Sequence, residues 1–142
     1  MPDVNLLVYA HRADEKTHAA HRRWLEDLMN GPRPVALSVL VAVGFLRIVT
    51  NPRIYTTPSP AKVAIAAIEE IRTRRQCRVV VPGPDHLERV LEMCRLVSAT
   101  GKRVADAQHA VLAIAEGCTW VTRDRDFARF TPHGLSWNHL DL

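Results

Sequence analysis

Short apolar runs alternate with longer amphipathic segments along this chain, and the alternation limits the folds that it can adopt. The periodicity predicts helices over residues 15–30, 38–50, 59–75, 85–99 and 104–116, and strands over 34–37, 78–81, 118–122 and 135–137. Ser38 and Ser59 are the predicted N-caps of the second and third helices, and Gly117 is the predicted C′ residue of the last helix. The first ten residues predict a strand, or a strand end that turns into a short helix. Strands that alternate with helices are typical of an α/β layer structure with a mostly parallel sheet. Because 142 residues suffice to bury one core, we expect a single domain over residues 1–142.

Composition excludes several classes of protein. Apolar residues make up 47% and the net charge is +4, which fits a globular protein with either an anionic partner or simply a solvated basic surface. Cys77, Cys94 and Cys118 form no CxxC pair, so we expect free thiols in a reducing cytoplasm rather than a zinc site or disulfides. No apolar run reaches the length of about 18 residues that a membrane span needs. Phosphate-binding glycine motifs are also missing.

Four aspartates stand beside apolar segments, and these residues are the candidate site. Asp3 interrupts an apolar run, Asp106 lies near the start of a predicted helix, and Asp124 and Asp126 directly follow a predicted buried strand. In open parallel sheets, ligands bind outside the carboxyl ends of the strands, where these side chains can converge. Like charges so close together repel unless a cation joins them. Oxygen ligands suit Mg²⁺ or Mn²⁺, which can activate water for attack on a phosphate.

Each of these residues also has a simpler interpretation. Asp106 could be a helix N-cap, Asp124 and Asp126 could be turn residues, and Asp3 could form a local turn with its own backbone. Two polar residues near them, Asn5 and Thr122, could support a site or could serve only in turns and caps. The seven histidines show no metal-ligand spacing. The residues alone leave these alternatives open.

The acidic segments resemble those of a known family, the PIN-domain ribonucleases. They read Asp3-Val-Asn-Leu-Leu-Val-Tyr-Ala10, Val104-Ala-Asp106-Ala107 and Trp120-Val-Thr-Arg-Asp124-Arg-Asp126-Phe127. The likeness is in particular to the VapC toxins of bacterial, notably mycobacterial, toxin–antitoxin pairs. Gly44-Phe-Leu-Arg-Ile-Val-Thr-Asn-Pro52 and Gly117-Cys-Thr-Trp-Val-Thr122 fit that subgroup too.

The resemblance implies a three-layer α/β/α sandwich with a central, mostly parallel sheet. It also implies Mg²⁺-dependent endonucleolytic cleavage of structured RNA, such as tRNA or rRNA, with Mn²⁺ as a substitute and with inhibition of translation as the outcome. A VapB-type antitoxin and a second copy of the chain are the implied partners. Carried over position by position, the resemblance assigns metal binding to Asp3, Asp106 and Asp124, a further catalytic acid to Asp126, and supporting roles to Asn5, Ser38 and Thr122. Arg123 and Arg125, beside the last acids, are candidates for RNA phosphate contacts.

Two departures from the family pattern keep other functions open. Gly44 stands where many PIN domains have a Glu, so a non-catalytic PIN module that binds RNA or a protein is the main alternative. Only two residues precede Asp3, which predicts a short first strand and leaves open a native start further upstream. A phosphotransfer enzyme of the haloacid dehalogenase type is disfavoured, since that family needs Asp-x-Asp and this chain has Asp3-Val-Asn5.

Overall fold

The computed structural model describes all 142 residues, which form two compact units. The N-terminal unit holds residues 2–79 and Leu142, and the C-terminal unit holds Met1 and residues 80–141. Each unit is described by itself below. The expectation of a single domain over residues 1–142 stays a prediction.

The N-terminal unit is mainly helical, and its core forms where the first three helices meet. Its elements are α1 (Val4–His11), α2 (His18–Asn30), β1 (Val35–Ser38), α3 (Val39–Val49), α4 (Ala61–Arg72) and β2 (Cys77–Val80), whose last residue already belongs to the other unit. The core contains Leu6, Leu7, Leu37 and Phe45, each no more than 1% exposed. The first segment is therefore mostly helix. A single bridge residue, Pro2, is all that remains of the predicted first strand.

Cap residues explain where some of these helices begin. The prediction that Ser38 caps α3 is confirmed, because its hydroxyl oxygen accepts the N–H of Leu40 at 3.1 Å. The same prediction for Ser59 is wrong. Pro60 occupies the N-cap position of α4, and the Ser59 hydroxyl instead binds His11 at 3.1 Å. The Ser59 hydroxyl therefore contacts a residue 48 positions away instead of the first turn of α4.

One arginine ties the irregular segment 51–60 to the end of α1. Arg12, itself buried, donates to the Thr57 carbonyl oxygen at 2.9 Å and pairs with Asp14 through two nitrogens. Its guanidinium also lies 4.0 Å from the ring centre of Tyr55. The Tyr55 hydroxyl donates to Glu15, and burial together with this contact raises the pKa of Tyr55 to about 12. The segment is thus held by side chains rather than by regular secondary structure.

The C-terminal unit surrounds a short parallel pair of strands. It contains α5 (His86–Leu96), α6 (Lys102–Ala115), β3 (Trp120–Thr122), a 3₁₀ helix (Arg125–His133) and β4 (Trp137–His139). Strands β3 and β4 run parallel, with Trp120 opposite Trp137. On the other side of β3, the N-terminal ammonium of Met1 donates to the Thr119 carbonyl oxygen at 2.9 Å. The Met1 carbonyl oxygen in turn accepts the N–H of Val121.

The core of this unit is aromatic. Trp120 is fully buried, and its ring stacks on His109 with 5.2 Å between ring centres. On another side it packs against Phe127, also at 5.2 Å, and Phe127 packs against Phe130. Helix α6 supplies a flat, tightly packed face beside them, because Ala107, Ala110 and Ala113 are completely buried. The predicted C′ role of Gly117 agrees with its positive φ of 61°.

The α/β class predicted from the sequence is confirmed. The strands pair as β1 with β2 and β3 with β4, in two two-stranded sheets. Some apolar residues of the helices are exposed despite their helical spacing: Val43 of α3 is 63% exposed, and Leu87 and Leu91 of α5 are 63% and 47% exposed. None of the helices is both long and apolar enough to span a bilayer.

Candidate active site

Three carboxylates of the C-terminal unit come from two neighbouring elements. Asp106 is the fifth residue of α6 and is 7% exposed, so the interpretation as a simple N-cap is wrong. Asp124 follows β3 by two residues and caps the 3₁₀ helix, in whose first turn Asp126 lies. The charges of Asp124 and Asp126 both act on Asp106. The three predicted carboxylates are therefore near enough to influence one another electrostatically.

Backbone and side-chain hydrogen bonds fix Asp124. Its N–H donates to the Thr122 hydroxyl oxygen at 3.0 Å, and its Oδ1 accepts the N–H of Asp126 at 2.9 Å. Its Oδ2 pairs with the ammonium of Lys102. Burial opposes ionisation, but the hydrogen bonds from Lys102 and from the Asp126 N–H outweigh it and hold the pKa of Asp124 below its usual value. Thr122 is fully buried, and its hydroxyl oxygen holds the turn that orients Asp124. Its predicted supporting role at a functional site stays a prediction.

Asp106 has the opposite electrostatic character. Its Oδ2 is buried and makes no hydrogen bond. Burial is the main cause that raises the pKa of Asp106, and the charges of Asp124 and Asp126 add to it, while Lys102 acts in the opposite direction. A carboxylate that is desolvated, short of donors and beside other acids needs a cation or a proton. This orphaned oxygen is the strongest sign of a ligand site in the unit.

The remaining charged residues of this region are more exposed. Asp126 pairs with Arg129, whose guanidinium lies 3.3 Å from Asp126 Oδ1. Arg125 is exposed and Arg123 is partly buried, with its carbonyl oxygen accepting from His139 at 3.1 Å. Their predicted contacts with RNA stay a prediction.

Asp3, Asn5 and Ser38 belong to the N-terminal unit. Asp3 is 5% exposed, stands at the N-cap position of α1 and accepts a hydrogen bond from the Asn5 amide at 3.0 Å. Its carboxylate does not cap the helix. Ser38 is fully buried and caps α3, so its hydroxyl has a local structural task. That Asp3 meets Asp106 and Asp124 stays a prediction.

Gly44 packs against the residue that follows Asp3. A Cβ built on Gly44 would meet Val4 Cγ2 at 3.4 Å, an ordinary van der Waals distance. Helices α1 and α3 are thus in contact at Gly44, and the site could accept a methyl group.

We expect Gly44→Ala to raise the free energy of unfolding by about 0.5–1 kcal/mol, because glycine inside a helix costs that much relative to alanine. Urea denaturation followed by circular dichroism measures the change. Ala42→Gly in the same helix is the matched control and should lower the free energy by a similar amount. A clear loss of stability in Gly44→Ala would show that the contact with Val4 tolerates no added atom.

Asp106, Asp124 and Asp126 have the ligand atoms that a hard divalent ion prefers, because they offer only oxygen donors and Oδ2 of Asp106 lacks a hydrogen-bond partner. No group of three or more His, Cys, Asp or Glu side chains is arranged to hold a metal ion together. Lys102, which sequence reasoning missed, is the cation that contacts Asp124. The available signal was its spacing, since Lys102 lies four residues before Asp106 on α6 and such residues share a helix face.

Comparison with known proteins places the chain in a family. The model of the PIN domain matches residues 1–131. The ribonuclease VapC43 of Mycobacterium tuberculosis is 39% identical over 137 residues, covering 96% of this chain and 92% of the relative. The ribonuclease VapC31 of the same species is 38% identical over 128 residues, covering 90% of each.

Two solved structures share the fold. VapBC2 from Rickettsia felis, bound to a DNA fragment from its promoter, has a TM-score of 0.71 at 19% identity, covering 99% of this chain and 98% of the matched chain. VapC20 of M. tuberculosis, a toxin that cleaves the sarcin–ricin loop, has a TM-score of 0.65 at 19% identity, with 89% and 91% covered. This chain belongs to the PIN-domain family, among the VapC ribonucleases.

Proposed function

We propose that this protein is the toxin of a toxin–antitoxin pair, an endoribonuclease that hydrolyses phosphodiester bonds in structured RNA and so inhibits translation. The observation that carries the proposal is the buried carboxylate of Asp106, which has an unpartnered oxygen beside Asp124 and Asp126. Transfer RNA and ribosomal RNA are the proposed substrates. The sarcin–ricin loop activity of VapC20 supports the ribosomal choice as a precedent in a protein of the same fold.

The proposed cofactor is Mg²⁺, with Mn²⁺ as a substitute, held by Asp3, Asp106 and Asp124. Such an ion lowers the pKa of a bound water and stabilises the charge that develops on the phosphate. The protein supplies the orientation of the ligands: Asp124 is fixed through Thr122 and the Asp126 N–H before any ligand arrives. Preorganised carboxylates of this kind lose little freedom when the site fills.

Positive side chains near the acids would hold the RNA backbone. Arg125 is exposed, Arg123 is partly buried, and Arg129 is anchored to Asp126 through both its side chain and its backbone carbonyl. Arginine forms paired hydrogen bonds with phosphate oxygens, which would position RNA without reading its sequence. Asp126 would act as the further acid at the edge of the site.

The proposed partners are a VapB-type antitoxin and a second copy of the chain. The VapBC2 complex, whose toxin-like fold this chain shares, supports the antitoxin. A cytoplasmic location follows as a proposal from the three free cysteines and the nature of the substrate.

Incubation of the purified protein with total RNA tests the proposal. We expect endonucleolytic fragments with Mg²⁺ or Mn²⁺, none with EDTA, and recovery when metal is restored in excess. Asp3→Asn should keep the fold and lose most of the cleavage, because an amide binds Mg²⁺ more weakly and carries no charge. If RNA is bound but never cut under any of these conditions, the protein is instead a non-catalytic PIN module, the alternative that Gly44 leaves open.

A further inference from the structure

Lys102 occupies an unusual place at the acidic cluster. It is the first residue of α6, four residues before Asp106, and its side chain is 69% exposed. Despite that exposure, its ammonium pairs with Oδ2 of Asp124, a residue 22 positions away in the sequence and only 23% exposed at its side chain. The charge of Lys102 also acts on Asp106 and Asp126. The ammonium of Lys102 thus interacts electrostatically with three carboxylates.

With this ion pair, both carboxylate oxygens of Asp124 have partners, whereas one oxygen of Asp106 has none. Asp124 Oδ1 takes the N–H of Asp126 and Oδ2 takes Lys102, whereas Asp106 Oδ2 has no partner. The neighbouring cation Arg129 pairs with Asp126 instead. Lys102 is therefore the counter-ion of Asp124 in this structure.

A divalent ion and an ammonium group compete for the same carboxylate oxygen. Both are cations, so they repel at hydrogen-bond distance, and a protonated lysine has no lone pair with which to join the ligands of a metal. The lysine side chain is long and mostly exposed, so it can swing into solvent at little steric cost. An exposed ion pair is also weak enough to be broken by a stronger ligand.

We propose that Lys102 is a displaceable counter-ion of the site, which a divalent cation must remove from Asp124 in order to bind Asp124 and Asp106. This inference rests on the proposed function, because it takes these carboxylates as the metal ligands. As a consequence, Lys102 neutralises part of the negative charge of the carboxylates when no divalent ion is bound. The affinity for the metal ion is lower as a result, because the ion must first displace Lys102.

Titration calorimetry with Mn²⁺, in the absence of RNA, tests the proposal. Lys102→Met keeps most of the aliphatic stem and removes the charge, and we expect it to bind Mn²⁺ about three- to tenfold more tightly than the unmodified protein. Arg103→Met is the matched control: it removes the same charge from the next, exposed residue, which makes no ion pair with the cluster. Its affinity for Mn²⁺ should stay within about twofold, the size of a general charge effect.

A second measurement uses metal-free protein. Lys102→Met should lower the melting temperature relative to Arg103→Met, because Asp124 and Asp106 lose their cation, and added Mn²⁺ should then give a larger upward shift than in the control. Equal Mn²⁺ affinity in Lys102→Met and the unmodified protein would overturn the counter-ion role and leave the proposed ribonuclease intact. Absence of Mn²⁺ binding in every variant would overturn the counter-ion role together with the metal-dependent part of the proposed function.

Discussion

Replacement of Asp106 by Asn is expected to reduce RNA cleavage by about 100-fold or more while the protein becomes more stable in the absence of metal. Residues that merely support a metal ligand typically change affinity or activity by about 10- to 100-fold, so the loss of a ligand should reach at least the upper end. The change is almost isosteric, and it removes the one charge in the cluster whose oxygen lacks a partner. The two effects together distinguish a functional acid from a structural one.

The sign of the stability change follows from the pKa. Burial raises the pKa of Asp106 in the folded protein above its value in the unfolded chain, so the charged form opposes folding. This penalty is absent below the unfolded pKa, grows as the pH rises from the unfolded to the folded pKa, and is complete above the folded pKa. Asp106→Asn should therefore raise the metal-free melting temperature at pH 7 and change it little at the most acidic pH at which the fold persists.

Asp85→Asn is the control for this variant. Asp85 undergoes the same chemical change in the same unit, but it pairs with Arg89 on the surface and lies outside the cluster. Initial cleavage rates with Mg²⁺ and thermal melts with EDTA give both readouts from one preparation. A folded Asp106→Asn that cleaves RNA at the normal rate would remove Asp106 from the metal site.

The second large effect is expected at Trp120. Trp120→Ala should lower the free energy of unfolding by about 3–5 kcal/mol, the usual cost of emptying a buried aromatic site. Both the His109 ring and the Phe127 ring lose a stacking surface in this variant. The cavity would lie directly under the strand that leads to Asp124, so we also expect cleavage to fall.

Trp120→Phe separates volume from polarity. The indole N–H of Trp120 is buried without a hydrogen-bond partner, so its removal relieves a desolvation penalty while a smaller ring keeps the contact with Phe127. We expect this variant to lose less than about half of the stability that Trp120→Ala loses. Denaturant unfolding followed by circular dichroism gives both values. A Trp120→Ala protein as stable as the unmodified one would mean that this aromatic cluster is not the core of its unit.

Local chemistry in the sequence was enough to predict much of the fold. Ser38 and Gly117 mark helix ends through contacts with their own neighbours in the chain, so their roles could be read without knowing the tertiary structure. The context of Asp124 is equally local, since Thr122 and Asp126 lie within two residues of it. These predictions depend only on interactions between residues that are close together in the sequence.

Other features depend on contacts between distant residues. The pairing of Lys102 with Asp124 spans 22 positions, and Ser59 gives its hydroxyl to His11 over 48 positions. Leu87 and Leu91 follow a helical apolar stripe, yet they are exposed because burial depends on which neighbours a helix meets. Apolar spacing identifies a helix more reliably than it identifies the face that is covered.

The segment that Arg12 holds against α1 is irregular in shape, yet its backbone is extensively hydrogen-bonded. The amides of Ile54 and Tyr55 both donate to the Asn51 carbonyl oxygen at 3.1 Å, and the Ser59 amide donates to the Val49 carbonyl oxygen at 2.8 Å. Amide protons in such bonds exchange with solvent only when the segment opens locally. Opening this one requires Arg12 to leave both Thr57 and the face of Tyr55. We therefore expect the amide protons of this loop to exchange with solvent about as slowly as those of α3 and α4, the helices that it joins.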